Sequence, residues 1–168
     1  MMERSEIQGW LAGRIPADWF DGAPQILVDR EEILAIGRLP DVVPPEGGDQ
    51  RAARLGAIDQ HREDTREARM RIAEEAQGKF GRVLSWGAEC GDVRQLFTHL
   101  ALPVMTRLRI TERQVLDALV AAGVARSRSH GLAWCVRLVA QHQGDWVKEL
   151  QEAVASVAKV RSQGPKLH

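Results

Sequence analysis

The chain has 168 residues, 44% apolar and 27% charged, with 23 basic side chains balancing 23 acidic ones. That length suits one well-cored domain or a small domain with appendages, and the composition excludes global disorder and the collagen-like and membrane classes. No apolar run approaches the ~20 residues that cross a bilayer, and the opening Met1-Met2-Glu3-Arg4-Ser5-Glu6 lacks the layout of a signal peptide, so the expectation is a cytoplasmic protein. Cys90 and Cys135 are too few for a disulfide framework and read as structural thiols, Cys135 inside an apolar helical stretch.

Charge is unevenly spread. Residues 1–50 carry 4 basic and 10 acidic groups, residues 51–103 carry 9 and 8, residues 104–143 carry 6 and 2, and residues 144–168 carry 4 and 3. Positive charge therefore gathers in 104–143, an asymmetry that electrostatic recognition can use.

In chain order, residues 1–48 read as an acidic N-terminal extension. It begins with a weak helix around Ile7, Trp10 and Leu11. Ile26-Leu27-Val28 and Ile33-Leu34-Ala35-Ile36, separated by a charged turn, predict a β-hairpin between Gln25 and Leu39. Pro40, Pro44, Pro45, Gly47 and Gly48 then make a linker and the expected internal boundary. Residues 49–103 read as a long polar helix over 49–79 followed by a Gly-rich connector. The middle of that helix, Asp59 to Arg69, has Ala68 as its single apolar residue and reads as a solvated face. In the connector, Phe80, Val83, Leu84 and Trp86 read as docking anchors and Asp92 as the cap of a short helix through Phe97 and Leu100. In residues 144–168, Asp145 reads as a cap, and Trp146, Leu150, Val154, Val157 and Val160 predict an amphipathic C-terminal helix. Trp134 and Trp146 read as core residues.

The segment 104–143 carries the recognition chemistry. Val104 to Ile110 alternates, placing Met105, Arg107 and Arg109 on one face of a strand. A lone strand is unstable in water, so it requires a mate. Thr111-Glu112-Arg113-Gln114 has the form of a capping box ahead of the stripe Val115, Leu116, Leu119 and Val120, and Gly123 ends that helix. Arg126-Ser127-Arg128-Ser129 then offers a hydroxyl cap flanked by guanidinium groups before Leu132, Cys135, Val136 and Val139. A helix start with free N–H groups beside arginines is suited to an anion such as phosphate.

Strand Arg107-Leu108-Arg109-Ile110, helix stripe Val115 to Val120 and turn Ala122-Gly123-Val124-Ala125-Arg126-Ser127-Arg128-Ser129 together resemble the ribbon-helix-helix DNA-binding proteins, which include the Arc and MetJ repressors. The resemblance covers residues 104–143. It implies a homodimer whose paired strands enter the major groove of duplex DNA, with Met105, Arg107 and Arg109 reading base edges. It also implies that Arg126, Ser127, Arg128 and Ser129 hold phosphate. This chain departs from the family in placing His130 and Gly131 after the cap, which gives the second helix weaker local support. The fold class expected is mainly α with short β: a ribbon-helix-helix dimerisation core, a long N-terminal helix, a β-hairpin and a C-terminal amphipathic helix.

The function expected is that of a transcriptional regulator. The rival is a non-catalytic protein-interaction factor that keeps the fold only for dimerisation and engages a protein partner through the acidic N-terminal region, which could alternatively mask the DNA contact. Catalysis is not expected. His99, His130 and His142 lack metal-ligand spacing, no phosphate loop follows a strand, and nothing identifies a base for Cys90, so no metal or cofactor is implied.

Overall fold

The computed structural model describes residues 4–163, and the chain divides into two compact units between Leu102 and Pro103. The boundary is therefore not at the Pro- and Gly-rich stretch 40–48, which lies inside the N-terminal unit. Nor are residues 1–48 an appendage. They supply half of that unit's sheet. Among the described residues no helix is long and apolar enough to cross a membrane.

The N-terminal unit contains α1 (Arg4–Arg14), β1 (Gln25–Val28), β2 (Glu32–Leu39), α2 (Gln50–Asp64), α3 (Arg66–Phe80), β3 (Val83–Cys90) and β4 (Val93–Leu96). Its sheet runs in the order β1-β2-β3-β4. The expected hairpin is present, with β1 antiparallel to β2, and its turn is held by the Asp29 carboxylate accepting from the Glu31 and Glu32 amides at 2.9 and 2.7 Å. β2 and β3 pair in parallel from Glu32↔Val83 to Leu39↔Cys90. Parallel partners need a long crossover, and residues 40–82 provide it through α2 and α3.

Strand alternation decides which side chains meet the helices. Ile26, Ile33, Ala35, Leu84 and Trp86 pack with Ile7 and Leu11 of α1 and Ile72 and Ala76 of α3. Leu39, Ala88, Cys90 and Val93 pack with Ile58 of α2. The expectation of a helix around Ile7, Trp10 and Leu11 is thus met, and Cys90 is a buried thiol whose pKa is raised by burial.

Three expectations need correction. Residues 49–79 do not form one helix: Thr65 interrupts it, its hydroxyl donating to the His61 carbonyl at 2.6 Å, and α3 runs on to Phe80. The stretch Val83–Cys90 is not a connector but an inner strand of the sheet, buried along most of its length. Asp92 caps no helix; it lies in the β3–β4 turn, where it meets Arg54 at 2.6 Å. Arg54 also grips Asp41 through two hydrogen bonds of 2.8 and 2.7 Å, tying the chain after β2 to that turn.

Phe20 packs against Gly37 of β2, where an added Cβ would sit 2.0 Å from the ring. Gly56, inside α2, has open space around the same position. Gly37→Ala is therefore expected to destabilise the protein by about 1–3 kcal/mol through overpacking. Gly56→Ala is expected to stabilise it by up to about 1 kcal/mol through helix propensity. Urea unfolding midpoints of the two variants check both signs.

Candidate nucleic-acid interface

The C-terminal unit contains α4 (Ile110–Ala121), α5 (Arg128–His142) and α6 (Gly144–Gln163). Residues 103–109, ahead of α4, belong to no helix or sheet, and Arg109 has extended backbone angles, φ −78° and ψ 174°. Ile110, expected as the last strand residue, is the first residue of α4. The helix cap also differs from expectation. Arg109, not Thr111, is the N-cap residue, and its backbone N–H donates to the Glu112 carboxylate rather than to Gln114. Thr111 lies within the first turn. The Arg113 guanidinium then donates to the Leu108 carbonyl at 2.7 Å, fastening the preceding segment to α4.

Gly123 ends the first helix as expected. Its φ of +73° is the left-handed value that glycine adopts without a Cβ clash, and the Val124 and Ala125 amides both donate to the Leu119 carbonyl at 3.0 and 3.1 Å. Ser127 is the cap of α5, with its hydroxyl accepting from the His130 amide at 3.2 Å. Gly131 suits its place: a Cβ there would lie 3.4 Å from Leu116 and 3.5 Å from the Ala125 methyl, so α5 approaches α4 closely at that point. The residue that weakens the helix locally lets the two helices meet.

Of the expected readers, Met105 is 94% exposed, and the Arg107 and Arg109 guanidinium groups have no ion pair among the described residues. Met105 shares a groove of ≈ 370 Å³ with Arg128 and Ser129, beside Leu108, Leu116 and Leu132. Arg107 and Arg109 do not line that groove. The residues expected to hold phosphate, Arg126 to Ser129, lie together at the start of α5, but Arg128 is already engaged. It forms a two-pronged ion pair with Asp117 of α4 at 2.6 and 2.7 Å, which holds the Asp117 carboxyl below its ordinary range. Both partners are solvent-exposed, the condition in which water and salt screen such a pair. Asp117 and Arg113 escape a reading of the sequence because their partners lie eleven residues on and in the backbone, outside any local motif.

The unit buries very little. Among its described residues Leu116, Ala125 and Gly131 are the buried ones, while Val104, Ile110, Val115, Val136 (64% exposed), Val139 and Trp146 (56% exposed) face outward. Trp146 is thus not a core residue of the single chain, and Trp134 and Cys135 are half-buried. The C-terminal amphipathic helix is present from Gly144, with Asp145 in its first turn, and Leu150, Val154, Val157 and Val160 exposed along it. The tail 164–168 lies outside the described residues.

Two family models match the chain and divide it as the fold does. The model described as "Rv1265-like protein, N-terminal domain" covers residues 5–96, and that described as "Mb1296 C-terminal domain" covers residues 109–161. The chain belongs to the Rv1265-like family. It is 55% identical over 159 residues to Mb1296 of Mycobacterium bovis and to Rv1265 of Mycobacterium tuberculosis, matching 94% of this chain and 70% of each relative. No solved structure matches it.

Ser127→Ala removes the hydroxyl that caps α5 and is expected to cost about 1 kcal/mol of stability, whereas Ser129→Ala, which removes no cap, should leave the thermal midpoint nearly unchanged. Paired melting curves check the difference.

Proposed function

We propose that this protein is a homodimeric, ribbon-helix-helix DNA-binding protein acting as a transcriptional regulator. The observation that carries the reading is the C-terminal unit's combination of a very small buried core with an arginine-bearing segment, residues 103–109, that joins no helix or sheet among the described residues. Two short helices that leave Val115, Val136 and Val139 in water gain stability by burying them against another copy. A segment outside helix and sheet pairs most simply with its own symmetry mate, because a two-fold interface is self-complementary, and pairing there replaces the bonds that the Leu108 carbonyl and the Arg109 N–H make to Arg113 and Glu112 in the single chain.

In that dimer the alternating residues Met105, Arg107 and Arg109 form the ribbon's outer face. Arginine is suited to guanine O6 and N7, and Met105 to apolar contact such as a thymine methyl. The start of α5 holds phosphate through the Ser127 to Ser129 backbone and the Arg126 and Arg128 guanidinium groups. Arg128 reaches a phosphate by exchanging Asp117 for it, so Asp117 acts as a competitor for the same cation. The excess of 6 basic over 2 acidic residues in 104–143 is doubled in a dimer and favours a polyanion.

The test is mobility shift on randomised duplexes at two salt concentrations, with sequencing of the retained DNA. Arg107→Ala combined with Arg109→Ala is expected to flatten discrimination among sequences while leaving non-specific binding measurable. Arg128→Ala should weaken all sequences alike and lower the salt slope by about 0.9 for each phosphate that it ceases to neutralise. Asp117→Asn should strengthen binding to all sequences. Retention of the original sequence preference by the double arginine variant rejects the ribbon as the reading element.

A further inference from the structure

The break at Thr65 separates α2 from α3. It sets Arg62, in the last turn of α2, around a cleft with Arg66 and Arg69 of α3, and Phe97 after β4 forms another wall. The cleft has a volume of ≈ 390 Å³, within the range that encloses a small ligand. Asp59 and Glu63 also line it.

Arg69 is the unusual member. It is 7% exposed, its Nε donates to the Thr65 hydroxyl at 2.9 Å, and its Nη2 donates to the Arg62 carbonyl at 2.6 Å. The guanidinium carbon lies 4.7 Å from the centre of the Phe97 ring, with that of Arg62 at 5.8 Å from the same ring. A guanidinium group carries five N–H donors, so two bonds leave it under-used. It has no carboxylate partner among the described residues. Its pKa is lowered by burial first and then by Arg62 and Arg66, a sign that its surroundings oppose the cation it must remain.

The same unit shows what a compensated arginine looks like. Arg54, with its side chain 19% exposed, is held by Asp41 and Asp92 together. A buried cation without such a partner is costly, and the cost is offset when a ligand brings the missing negative charge. Three guanidinium groups arriving from two helices suit the several oxygens of a tetrahedral oxyanion better than the planar fork of one carboxylate. The carboxylates Asp59 and Glu63 on the same cleft oppose the approach of an extended polyanion such as duplex DNA, while leaving room for a compact one.

We propose that the cleft at the α2–α3 junction is a binding site for phosphate or a small phosphate-bearing molecule, with Arg69 as its buried anchor and Arg62 and Arg66 as its exposed clasps. Trp19 offers an optical signal for occupancy, since its ring is 6.1 Å from His61, whose ring is 6.4 Å from Phe97.

The experiment titrates the full chain with inorganic phosphate and pyrophosphate at constant ionic strength, with chloride, acetate and citrate as controls, and follows tryptophan fluorescence and the melting temperature. Saturable binding of phosphate or pyrophosphate is expected, with a rise in melting temperature that the controls do not reproduce. Arg62→Ala combined with Arg66→Ala, both at exposed positions, should weaken it at least tenfold while the fold is retained. Arg69→Gln should abolish it, with circular dichroism reporting whether that variant folds. An equal response to all anions, or an unchanged affinity in the double variant, means an adventitious ion only and overturns the proposal. So does a double variant that loses affinity for duplex DNA when the wild-type chain shows no phosphate response.

Discussion

The structure turns on how little apolar surface the C-terminal unit can hide by itself. Helices α4 and α5 close on each other at Gly131, where Leu116 and Ala125 are buried, and much of what remains apolar faces outward. Isolated helices of this length draw most of their stability from packing, so a pair with so small a shared core is incomplete as a folding unit. The proposed dimer follows from that deficit. It assigns the outward valines to a second copy and gives residues 104–109 a strand partner.

The N-terminal unit is built on the opposite principle. Its mixed sheet has one face engaged by α1, α2 and α3, and the parallel β2–β3 pair at its centre is closed by the crossover that contains both longer helices. Arg54 ties the start of that crossover to the β3–β4 turn by holding Asp41 and Asp92 at once. Against this well-compensated background, Arg69 stands out as a buried cation supported only by neutral oxygens and an aromatic face. One unit thus has unsatisfied apolar surface and the other has unsatisfied charge, and these two imbalances carry the functional readings.

The parts of the fold legible in the sequence are those set by local pattern. The hairpin from Gln25 to Leu39 is visible in its β-branched runs, and Gly123 and Ser127 mark a helix end and a helix start through φ preference and capping chemistry. Strand β3 alternates Leu84, Trp86, Ala88 and Cys90 with Ser85, Gly87 and Glu89, but it is hidden because Gly81, Gly87 and Gly91 punctuate the stretch as a loop would and its parallel partner β2 lies more than forty residues away. The break at Thr65 is hidden because nothing in Asp64-Thr65-Arg66 forbids helix; the Thr65 hydroxyl and the buried Arg69 act there through hydrogen bonds across turns. For the same reason Arg69 reads as part of a solvated face. Of the candidate interface, the cap at Ser127 and the arginine cluster are legible. The engagement of Arg128 by Asp117 is not, because it depends on the way the turn folds α5 back on α4.

The proposed dimer lays residues 104–109 of two chains side by side as an antiparallel ribbon. Isotope-filtered nuclear Overhauser spectra of a sample mixed from labelled and unlabelled chains test it most directly. Backbone proximities between chains are predicted within 104–109, in a register symmetric about its middle. A chain that sediments as a monomer, or a dimer without interchain proximities in that segment, contradicts it.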